Sequence, residues 1–162
     1  MHKSLLLILL ILCMQQGSAQ DSTRFPLHFI GHWKGSLQWT QPGREPKNFQ
    51  MQLKVTETDS IGIYAWTIIY GGGDSSQDLR PYSLKAIDVQ SGHWVIDEGN
   101  GIVLDNYVAG NCLQGSFTVM KNTIVNNYCI ENGKMRVEFF TIKLSDKKSS
   151  GKGTTDSPTV DS

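Results

Sequence analysis

The densest group of side chains able to do chemistry is Asp97, Glu98, Asn100, Asp105 and Asn106. Paired carboxylates at such spacing can exchange protons with a substrate or hold a hard cation through oxygen ligands. In an extended chain, however, Asp97 and Glu98 point to opposite faces, so the group reads as the solvated end of a hairpin turning at Gly99-Asn100-Gly101. Histidine is sparse: His28, His32 and His93 lie in or beside strand-like segments, not on a helix that would gather them round one metal. No serine stands in a Gly-x-Ser-x-Gly elbow. Gly71-Gly72-Gly73 lacks the lysine and helix start of a phosphate loop and reads as a hairpin connector. These residues therefore predict no enzyme, no metal and no cofactor.

Two cysteines carry a different message. The first nineteen residues hold Lys3 in a short basic start, an apolar run from Leu5 to Met14 and the small residues Gly17-Ser18-Ala19, the layout of a secretory signal peptide cleaved after Ala19. The run is shorter than the roughly 20 apolar residues a spanning helix needs. A competing reading makes Cys13 a lipidated N-terminus, although Leu12 stands where such signals place a small residue. Cleavage after Ala19 implies a secreted or periplasmic protein, and the alternative a lipoprotein anchored at Cys13; in an oxidising compartment Cys112 and Cys129 are expected to form a disulfide.

Charge excludes some partners. The chain has 15 basic and 15 acidic residues, with no basic stripe to suit nucleic acid or an anionic membrane surface. Beyond the leader, 20–144 has one domain's length. From Ser145 to Ser162 the composition is Ser, Lys, Gly, Thr and Asp with one proline and one valine, too polar to offset the entropy of ordering, so 145–162 is expected to be a disordered tail.

The elements that must position any site follow from a period of two. Odd positions from Phe29 to Trp39 are Phe29, Gly31, Trp33, Gly35, Leu37 and Trp39, against mostly polar even ones. Phe49, Met51, Leu53 and Val55 repeat the pattern after the Gln41-Pro42-Gly43 break. One face is apolar and the other wet, as in half-buried strands. Further strands are expected at Ile61–Tyr70, Tyr82–Val89, Trp94–Glu98, Ile102–Val108, Leu113–Val119, Thr123–Ile130 and Met135–Leu144. The Gly- and Asn-rich connectors between them suit tight hairpins, which need positive φ. These segments predict an all-β fold, an antiparallel up-and-down meander of about nine strands. Closing the sheet removes its exposed edges, so a small barrel is expected, with a two-sheet sandwich as the competing design.

The cysteines set a register. Pairing Leu113 with Tyr128 and Phe117 with Ile124 places Cys112 opposite Cys129, both on the outer face, at bridging distance.

Gly31-His32-Trp33 at the head of the first strand resembles the G-x-W signature of the calycin group, which includes lipocalins, fatty-acid-binding proteins and avidins. The combination also resembles secreted lipocalin-like proteins of bacteria. The resemblance implies a lipocalin-like barrel in which Trp33 plugs one end and an arginine from a late strand, here Arg136, lies across its ring. It covers the first strand and Arg136 alone. It implies no subfamily and no ligand.

Aromatic residues suggest the function. Tyr64, Trp66 and Tyr70 share one parity, with Tyr82 and Trp94 on neighbouring strands. If these faces point inward they line an apolar lumen with Arg80 and Tyr82 near its mouth, the composition of a small-molecule pocket. The expectation is a non-catalytic exported binding protein holding a small, mostly apolar ligand, with Trp33, Tyr64, Trp66, Tyr70, Arg80, Tyr82, Trp94 and Arg136 as binding candidates. The alternative is an extracellular or envelope protein-interaction domain whose barrel is packed and ligand-free.

Overall fold

The computed structural model describes residues 25–71, 77–143 and 149–161. The expected leader with Cys13 and Ala19, the second and third glycines of the Gly71 connector, and 144–148 lie outside the described residues. The protein is all-β. Nine strands follow one another in a single sheet whose spatial order is the chain order: β1 Gly31–Trp39, β2 Lys47–Glu57, β3 Ile63–Tyr70, β4 Asp78–Asp88, β5 His93–Asp97, β6 Val103–Ala109, β7 Cys112–Val119, β8 Asn122–Glu131 and β9 Lys134–Lys143. Every neighbouring pair is antiparallel. The sheet curls into a nearly closed barrel, so the sandwich is not formed.

Alternation sets which side chains meet. Gly35↔Met51, Trp33↔Leu53 and Val55↔Trp66 pair across β1, β2 and β3 with the same face turned inward. Leu84, Trp94, Ile96, Leu113 and Tyr128 continue that face round the barrel into one buried core. The cysteine register is as expected: Leu113↔Tyr128, Phe117↔Ile124 and Cys112↔Cys129, with a disulfide joining the last pair.

β4 begins at Asp78, four residues before the expected start at Tyr82. Pro81, which cannot donate a ladder hydrogen bond, pairs with Thr67 of β3. β5 ends opposite Ser83, so no strand stands on that side to require a donor from Pro81.

One barrel end is plugged. A 3-10 turn at Leu27–Phe29 carries Phe29 into the core beside Trp66, while Phe25 meets Trp94 edge-on at 5.0 Å. Of the polar tail, 149–161 carries a short pair, β10 (Ser149–Ser150) with β11 (Val160–Asp161).

Candidate functional site

β1 is hydrogen-bonded to β2 alone and β9 to β8 alone, so the two ends of the meander face each other without pairing among the described residues. Between them lies a cavity of about 480 Å3. Trp33, Gly35 and Leu37 of β1, Met51 and Leu53 of β2, and Met135 and Val137 of β9 form its walls. All come from the inward parity of their strands, so the slot continues the apolar face of the barrel. Lys34 and Ser36 of β1 and Lys134 at the start of β9 add to the lining from the outward parity, and Gly133 of the β8–β9 turn completes it.

Each wall residue is where it is for a local reason. Trp33 is fixed by its indole N–H, which donates to the Phe29 carbonyl at 2.8 Å and ties β1 to the plugged end. Gly35 opens the space: a Cβ built there would meet no atom within 4 Å. Met135 and Val137 stand opposite Ile130 and Tyr128 of β8, which sets the inner wall of β9 against the core.

The centre of the barrel is filled. Trp66, Leu84 and Leu113 are fully buried, and Trp66 crosses Tyr128 at 89°. Burial drives the Tyr128 phenol far above its ordinary value, as expected of a hydroxyl cut off from water.

Between β6 and β8, Asn126 Nδ2 donates to Asn106 Oδ1 at 2.8 Å, and Asn106 Nδ2 donates to the Leu104 carbonyl at 2.9 Å. Both asparagines are buried. They pack against Gly115, where a Cβ would collide with Asn106 Oδ1 and the Asp105 carbonyl.

The expected binding residues are dispersed. Trp33 lines the slot. Trp66 and Trp94 are core residues, and Tyr64 packs on Trp94 at 6.1 Å. Tyr70, Arg80 and Tyr82 gather at the unplugged end: the Arg80 guanidinium sits 5.3 Å from the Tyr70 ring and is paired with Asp78 at 2.7 Å. Burial raises the Tyr70 phenol, and Arg80 opposes that shift.

Arg136 does not cross the Trp33 ring. Its neighbours Met135 and Val137 face the slot, so Arg136 faces outward, where it is bound by Glu131 at 2.8 Å and by Glu138. Of the walls, Trp33 alone was named from sequence; Gly35, Leu37, Met51, Leu53, Met135 and Val137 were missed. Their signal was the strand count, which leaves the first and last segments unpaired.

The acidic group behaves as a hairpin end. Asp97 is paired with Lys85 at 2.5 Å and accepts the Gly99 N–H, and these contacts hold its carboxyl below the ordinary aspartate value. Asp105 meets His93 at 2.7 Å, whose ring stacks on Tyr107.

The Cys112–Cys129 disulfide is compatible with an extracellular or periplasmic location. No helix among the described residues is long and apolar enough to cross a membrane. The chain matches no family model, no curated protein and no solved structure.

Proposed function

We propose that the protein is an exported, non-catalytic binding protein that holds a small, mostly apolar guest in the slot between β1 and β9. The supporting observation is the cavity of about 480 Å3, walled by apolar side chains, between two strands that do not pair with each other in an otherwise filled barrel. Pockets of this size, lined mainly by hydrophobic side chains with few polar groups, are the usual form of a small-guest site. The guest position differs from the axial lumen of the calycin group, whose G-x-W resemblance at Gly31-His32-Trp33 supports a related barrel. The leader and the disulfide support export.

N-phenyl-1-naphthylamine, a neutral apolar fluorophore, tests the reading. It should bind saturably, with one probe per barrel, and the Gly35→Phe variant should lose that binding while keeping its far-ultraviolet circular dichroism spectrum. Unchanged binding in Gly35→Phe would place the guest elsewhere.

A second reading, a domain that binds another protein, draws on the unplugged end, where Trp39, Leu79, Phe140 and Ile142 are each about half exposed. A stoichiometric protein companion in native mass spectrometry of material from the natural source would favour it.

A further inference from the structure

Counting strands gives the slot a polarity. In an antiparallel meander all odd-numbered strands run the same way, so β1 and β9 are parallel to one another. Closing them directly would insert one parallel pair, with slanted and slightly weaker hydrogen bonds, into a wholly antiparallel sheet. One more strand, running opposite to both, would complete the ring with antiparallel pairs on either side.

We propose that the slot is a docking site for an extended segment of another polypeptide, which inserts between β1 and β9 as a tenth strand. This rests on the slot being the guest site.

The backbone is the first argument. Every second residue of β1 and of β9 directs its N–H and C=O into the slot, where no described residue pairs with them. Such groups are obligatory hydrogen-bonding partners. An apolar small molecule leaves them unmet, whereas an added strand satisfies both rows.

Side chains define the chemistry of the segment. Its inward residues would meet Trp33, Leu37, Leu53, Met135 and Val137, with room over Gly35, so they should be apolar and of moderate size. Its outward residues would lie between Lys34 and Lys134, neither of which has a carboxylate partner among the described residues, so acidic side chains complement them. The outer face of β1 otherwise carries only His32, Ser36 and Gln38. Five residues, the length from Trp33 to Leu37, span about 17 Å as a strand.

The chain's own C-terminal stretch does not fit this description. Residues 149–161 pair with themselves, include Pro158 and have Val160 as their one large apolar residue. The edge strand of a second copy would bring its own barrel with it. A free extended segment is the occupant that the slot accommodates.

The test uses a synthetic peptide of alternating Glu and Val, seven residues long and blocked at both ends, added to the intact protein. It should bind one to one, displace N-phenyl-1-naphthylamine, and slow amide hydrogen exchange along both β1 and β9. The same peptide with a central proline should not bind. Joint K34E and K134E substitution, on the exposed rim, should weaken binding by about tenfold or more.

If the fluorophore binds in a Gly35-dependent way but the peptide neither displaces it nor protects β1 and β9, the strand assignment falls and the small-guest reading stands. If neither binds, both fall. Peptide binding without protection of both edges also overturns the assignment.

Discussion

Gly35 and Gly115 both lie on the inward parity of their strands, and they have opposite surroundings. At Gly115 a side chain has nowhere to go, because Asn106 and the β6 backbone already occupy the space. At Gly35 a side chain would meet nothing. The wall around Gly115 is also cross-linked, by the Cys112–Cys129 disulfide outside and by the Asn106–Asn126 hydrogen bond inside. The slot has neither device, and its two strands are not joined. The same residue type therefore marks a close-packed joint in one region and an opening in the other, and what differs is the number of elements converging there.

The disulfide offers the largest way to break this contrast. Replacing Cys112 and Cys129 together with serine should lower unfolding free energy by about 3 kcal/mol, the chain-entropy value for a loop of this length. Denaturant titration would measure it. A loss well below 1 kcal/mol would mean that the wall owes little of its rigidity to the bridge.

Gly115→Ala comes next. The added methyl must displace Asn106 or the β6 backbone, and overpacking of this kind costs about 1–3 kcal/mol. A neutral result in thermal melts would show that the wall yields as readily as the slot.

Gly35→Leu sharpens the comparison from the other side. The new side chain enters open apolar space, so stability should change by less than about 1 kcal/mol, with a gain if the leucine buries well. A loss as large as that of Gly115→Ala would remove the distinction between the two sites.

The smallest effect is electrostatic. Lys85 and the Gly99 N–H hold Asp97 low, and Arg136 holds Glu131 low. A carboxyl whose folded pKa is depressed contributes stability above its unfolded value and loses it as pH falls through the folded one. Melting temperature should therefore be flat near neutrality and decline as pH drops below the ordinary values of 4.5 for glutamate and 3.8 for aspartate. Asp97→Asn should make that decline shallower. These pairs are solvated, and the change should be modest.

Much of the fold was legible in the residues themselves. Alternation located nine strands and their inward faces, Gly and Asn located the turns, and the cysteines gave the β7–β8 register. The candidate site was less legible. Trp66 and Trp94 carry the same aromatic signal as a pocket lining and are core. Arg136 sits one residue out of phase with the slot, because its neighbours Met135 and Val137 take the inward direction.

By itself the sequence determined local matters: which residues extend, which face each side chain takes, and which neighbours pair. These follow from backbone sterics and a two-residue period, which act within a strand and its hairpin partner. Only the tertiary structure decided that the centre would be filled and that space would remain between β1 and β9. Those outcomes depend on how nine twisted strands curl as a whole, a property that no single strand or turn contains.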